Sequence, residues 1–151
     1  MSPQGEAAEA EAWEPSWQDS ARLLLACFEE ADRRGISIAV AIADRWGRPV
    51  AFQRQPNTTP TSAKIAIAKA FTAANFNTSV GQMADEIPRV DQEELCRHNP
   101  QLVFLRGGLP IRRDGKRLGG LGISGAPPEV DDEVAHTALV GLGFDDTLDR
   151  P

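Results

Sequence analysis

The stretch Gly119-Gly120-Leu121-Gly122-Ile123-Ser124-Gly125-Ala126 is followed directly by Pro127-Pro128-Glu129 and an apolar-patterned helix. Four glycines in seven residues leave the backbone bare. Glycine offers no side chain to pack and loses much conformational freedom on folding, so it weakens a strand. Such a run needs a reason from outside itself: a closely approaching backbone, a bulge or a ligand. Two uses stay open. Gly119, Gly120, Gly122 and Gly125 can present backbone amides to an oxyanion or a close-fitting planar ligand. They can equally make room for a helix or a neighbouring subunit. A dinucleotide fingerprint is excluded, because the run ends a hairpin and lacks the βαβ context.

The rest of the chain supplies the partners for that hairpin. Ser16 caps a helix that runs to about Arg34, with Asp19 favouring its N-terminus and Gly35 ending it. Residues 36–43 alternate Ile/Val with Ser/Ala, which predicts a strand covered on both faces, closely so on the small-residue face. The Asp44-Arg45-Trp46-Gly47 turn leads into a return strand over 48–53, with Val50 and Phe52 expected to face inward. Thr61 or Ser62 is expected to cap a second, alanine-rich helix to about Phe76. Residues 77–99 read as irregular, with one short helix near 80–87. A short strand is expected at 102–105, a bend at 106–110, and a hairpin about Asp114-Gly115. Pro128 or Glu129 opens the last helix, which runs to about Leu142. The order predicts an α+β domain, one antiparallel sheet with packed helices.

The chain has 151 residues, enough for one domain with a core. Residues 1–15 form an acidic segment expected to be flexible, 16–144 the domain, and 145–151 an acidic tail. The net charge of -6 lies entirely in the two terminal pieces, and the domain between them is balanced. That balance argues against a nucleic-acid face, which concentrates positive charge. No run of 18 apolar residues exists, so no membrane span is expected. The first residues lack a basic, then apolar, leader. Cys27 and Cys96 form no CxxC pair. Free thiols and a cytoplasmic location are expected.

Several segments together resemble the GlcG/HbpS-like family, also described as the heme-degrading or DUF336 domain. They are residues 38–44 with Gly47, the alanine-rich helix 63–73, Gly107-Gly108-Leu109-Pro110-Ile111, the glycine run, and Asp132-Glu133-Val134-Ala135. The resemblance extends from about Trp17 to Leu142. It implies a profilin-like fold, assembly into dimers or larger rings, and a heme or other small-molecule ligand. Its members include heme-binding proteins and a domain attached to cobalamin adenosyltransferases. Many relatives carry an aspartate-containing turn after the second strand, whereas this chain reads Gln55-Pro56-Asn57.

Candidate functional residues are few. Arg54, two residues beyond Phe52, can clamp a carboxylate or oxyanion. Lys64 lies near the helix N-terminus beside loop 55–61 and is the better ligand candidate of two helical lysines. Lys69 reads as a solvated residue or a salt-bridge partner. His98 and His136 are too far apart for a metal motif, and no metal site is expected, though a single histidine can hold a heme iron. His136 is therefore a ligand candidate. His98 and an acid from the 85–94 segment, such as Glu94, are candidate proton carriers. Two functions remain open. One is a small-molecule-binding domain, with heme or another tetrapyrrole as ligand. The other is a cofactor-independent isomerase, lyase or cyclase that uses Arg54, Glu94 and His98. A homo-oligomer is expected, with the basic Arg112, Arg113, Lys116 and Arg117 hairpin meeting the acidic 85–94 segment of a neighbour.

Overall fold

The computed structural model describes residues 12–149. The Ser16 hydroxyl accepts from the Asp19 amide to start α1 (Trp17–Arg34), and Gly35, at φ 69, ends it in the left-handed conformation. Then come β1 (Ala39–Ala43), β2 (Pro49–Arg54), α2 (Pro60–Phe76), α3 (Val80–Glu86), α4 (Arg89–His98), β3 (Gly108–Arg113), β4 (Lys116–Ser124) and α5 (Pro128–Gly141). The four strands form one antiparallel sheet in the order β2-β1-β4-β3. The α+β architecture is the expected one.

The alternation around β1 decides how the layers form. Ile38, Val40 and Ile42 enter the main core with Leu23, Cys27 and Ala31 of α1 and Val134, Ala135, Ala138 and Leu139 of α5. Ala39, Ala41 and Ala43 meet Ala66, Ala70 and Ala74 of α2 on the other face. The glycine run makes this second contact close. A Cβ on Gly122 would overlap the Ala66 carbonyl oxygen and stand 2.5 Å from the Ala70 amide nitrogen; one on Gly120 would overlap the Ala70 carbonyl oxygen. Gly119 and Gly125 have positive φ, and a Cβ on them would overlap the carbonyl oxygens of Ala43 and Ser37 respectively. At Gly120 and Gly122 the structure shows the use that makes room for a helix.

Several expectations need correction. Thr59, not Thr61 or Ser62, caps α2, and Pro60 occupies the first turn where its missing N–H costs nothing. Residues 77–99 hold two helices, α3 and α4. Residues 102–105 pair with no strand, and Gly108 already belongs to β3. Phe52 does not face the core: it lies opposite Ala41, on the α2 side, beyond the helix's cover, and is 43% exposed.

Three of the four basic residues of the hairpin have partners within the chain. Arg113 pairs with Asp19 at 3.0 Å, Arg112 donates to the Asn77 carbonyl, and Arg117 donates to the Arg45, Ala74 and Asn75 carbonyls. Both terminal segments dock where they are described. The Trp13 carbonyl accepts from the Arg45 amide, and its ring lies 5.5 Å from that of Trp46. The Asp145 amide donates to the Arg112 carbonyl and the Thr147 hydroxyl to the Pro110 carbonyl, so the C-terminal segment runs along the outer edge of β3. The remaining residues of the two predicted terminal pieces lie outside the described ones.

Candidate functional site

Because α2 sits over β4 and β1 and only grazes β2, the outer strip of the sheet stays open on that face. Strand register places Phe52 in one row with Ala41 and Gly122, and Arg54 in the next with Ala39 and Ser124. The direction of α2 is set by Ala66 above Gly122 and Ala70 above Gly120. Its C-terminal half reaches the β1–β2 turn, where Phe71 and Asn75 crowd Gly47 and the Asn75 amide donates to the Trp46 carbonyl. Lys64, Ile67 and Phe71 follow helical spacing on that same side. Phe52 and Arg54 of β2 therefore face the flank of α2 that carries Lys64 and Ile67.

This flank joins apolar surface to free positive charge. Phe52 is 43% and Ile67 47% exposed. Among the described residues, neither Arg54 nor Lys64 has an ion-pair or hydrogen-bond partner. By contrast, Arg22, Arg33, Arg34, Arg48, Arg97, Arg106 and Arg113 each hold a carboxylate. Two unpaired cations beside exposed apolar side chains suit an amphipathic anion.

The other predicted site residues lie elsewhere. His98 and Glu94 are both on α4, where His98 Nε2 lies 3.0 Å from Glu94 Oε1 and Arg97 also holds Glu94. His136 is on α5, across the sheet from α2, with Nδ1 3.3 Å from Asp146 Oδ1. Gly120 and Gly122 are covered by α2. The structure brings Arg54 and Lys64 to one flank. It does not bring Arg54, Glu94 and His98 together.

Sequence reasoning missed an ionic cluster on the opposite side of α2. Lys69 is buried; its Nζ donates to the Ile123 carbonyl at 2.8 Å and to Asp131 at 3.1 Å. Burial lowers the Lys69 pKa against the pull of Asp131, and burial pushes the Asp131 carboxyl up to about 6. Neighbouring Asp132 accepts from the Gly107 amide at 2.7 Å and from Arg106 at 3.1 Å. Arg106 also holds Asp85 and Asp149. Lys69 is thus a salt-bridge partner in an apolar setting. The residue is 1% exposed, which seals its amine from any substrate. The available signal was the adjacent Asp131-Asp132 on a helix whose neighbours Val130 and Val134 are apolar.

A groove of about 740 Å³ lies between α3, α4 and residues 102–105, with Ile87, Cys96, Leu102 and Phe104 in its walls. It is separate from the flank. Among the described residues, no group of three His, Cys, Asp or Glu could hold a metal, and no helix is long and apolar enough to cross a membrane.

A family profile described as "Haem degrading protein HbpS-like" matches residues 16–140. The chain belongs to the HbpS-like family. It is 32% identical over 129 residues to the corrinoid adenosyltransferase PduO of Salmonella typhimurium, covering 84% of this chain but 38% of that protein. It is 31% identical over 116 residues to protein GlcG of Escherichia coli, covering 72% of this chain and 80% of that one. Among solved structures, the PduOC:heme complex superposes with a TM-score of 0.82 at 29% identity, over 89% of this chain and 99% of that one. HbpS superposes at 0.77 with 28% identity, over 88% and 93%. The HbpS-like chain thus spans well under half of the adenosyltransferase it matches.

Proposed function

We propose that this HbpS-like chain is a small-molecule-binding domain whose ligand is a tetrapyrrole such as heme, seated on the β2–α2 flank. The observation that carries the reading is the pairing of unengaged Arg54 and Lys64 with exposed Phe52 and Ile67. A porphyrin presents the complement: a broad apolar face and carboxylates on one edge. Guanidinium and ammonium groups meet those carboxylates, and the apolar side chains cover part of the ring. The PduOC:heme complex, a similar fold, supports the ligand class.

Titration with hemin, followed at the Soret band against free hemin and an unrelated acidic protein, tests the proposal. Saturable one-to-one binding is expected. Arg54→Glu with Lys64→Glu should weaken it about tenfold or more, since two surface charge contacts of up to ~1 kcal/mol each are lost and reversed. Unchanged affinity in that double variant would remove the flank from the site.

We infer also that the chain associates with itself. Helix α4 buries none of its own residues, and Val90 is 70% and nearby Leu105 39% exposed. A second copy covering this side would hide surface that one copy leaves in water.

A further inference from the structure

The tetrapyrrole reading separates into two demands, a place for the ring and its carboxylates and a ligand for the metal. The flank meets only the first. Heme iron is ordinarily held by His, Cys, Met or Tyr. The chain has no Tyr at all. No His, Cys or Met occurs in β2, in α2 or in the β1–β2 turn. His136 is across the sheet and next to Asp146. His98 projects from α4 and is engaged by Glu94. Cys27 is buried in the main core, Met83 is buried against Ala73 and Val80, and Cys96 lines the separate groove with its Sγ 3.6 Å from the Leu102 carbonyl.

We propose that this site recognises planar apolar dicarboxylates of the tetrapyrrole type without regard to the metal, with Arg54 and Lys64 as the specificity-determining residues and neither histidine acting as an axial ligand. The inference rests on the β2–α2 flank being the binding surface. What is read there is charge and shape: the two cations Arg54 and Lys64, and the exposed apolar side chains Phe52 and Ile67. Phe52 and Ile67, the side chains that would cover the ring, donate no electron pair to a metal. Metal-free, zinc and iron porphyrins then present the same recognised features. Esterifying the carboxylates removes the feature that matters.

The test compares hemin, zinc protoporphyrin and metal-free protoporphyrin IX on the full chain, by absorbance and by quenching of the tryptophans. Dissociation constants within about threefold of one another are expected, with the dimethyl ester of the metal-free porphyrin at least about tenfold weaker. The hemin complex should lack the low-spin optical and electron-paramagnetic signature of a protein nitrogen or sulfur ligand. His98→Ala, His136→Ala and Cys96→Ala should leave affinity and spectrum unchanged. Hemin binding more than about tenfold tighter than the metal-free ring, with that excess lost in any one of those variants or in Lys64→Gln, overturns metal-blind recognition while leaving heme binding intact. Saturation by none of the three porphyrins overturns the ligand class, and this inference with it.

Discussion

Replacing Lys69 by methionine tests whether the buried ion pair holds α2 to α5 in the way its geometry implies. Methionine fits the space of the aliphatic stem but donates nothing. Asp131 would keep only the Ala126 amide, at 3.2 Å, and the Ile123 carbonyl would lose its lysine donor. Breaking one side of a buried pair costs about 3–5 kcal/mol. In a domain of this size that lowers Tm by roughly 6–20 °C. Adding Asp131→Asn should recover much of it, because the amide oxygen still accepts from Ala126 and no charge stays buried. The remaining cost is the orphaned Ile123 carbonyl, about 1–3 kcal/mol. The deficit also depends on pH with a definite sign. The Asp131 pKa is raised by burial, to about 6, and removing its cation raises it further. A carboxyl with a raised folded-state pKa contributes stability below its unfolded value and loses it as pH rises through the folded one. Lys69→Met should therefore be closest to the parent near pH 4 and fall behind it towards pH 8. Urea unfolding at both pH values measures this. A single variant as stable as the parent at pH 8, or a double variant no better than the single, would refute the reasoning.

Gly122→Ala should destabilise the fold by about 1–3 kcal/mol or more, because its Cβ meets the backbone of α2 rather than a movable side chain; a thermal melt within 2 °C of the parent would show that α2 can lift at little cost. Light scattering over a hundredfold dilution should show concentration-dependent mass above that of the 16.3 kDa chain, reduced by Val90→Glu with Leu105→Glu. A mass of one chain at every concentration would remove the self-association proposal.

The sequence carried much of the fold because its signals were local. Ser16 and Gly35 mark the ends of α1, and the Ile/Ala alternation of β1 names both of its neighbours. Phe52 misled because alternation tells which face a residue takes, not whether anything covers that face. Its row is shared with Ala41, but α2 stops short of β2. Residues 102–105 have strand composition yet no ladder partner, a tertiary fact that propensity does not contain. At the site, Arg54 and Lys64 were legible as cations near a strand end and a helix start. For Lys69 a salt bridge was legible as one of two readings, but its burial and its partner were not, since Asp131 stands 62 residues away.

The close packing at Gly120 and Gly122 has a consequence for how much of the sheet α2 covers. Ordinary side chains on β4 would hold α2 away from the sheet and let its flanks spread over neighbouring strands. Bare backbone at Gly120 and Gly122 draws the helix down until its own carbonyls lie against the strand. A helix that low and centred on β4 and β1 cannot shelter the edge strand, so Phe52 and Arg54 stay outside its cover. The same descent divides α2 into two sides with different fates. On the β3 side Lys69 is carried beneath the surface, where only a buried aspartate makes its charge tolerable. On the β2 side Lys64 and Ile67 remain in water. Close packing at the centre of the sheet and an open amphipathic strip at its edge are thus two results of one substitution pattern, glycine on the strand and alanine on the helix.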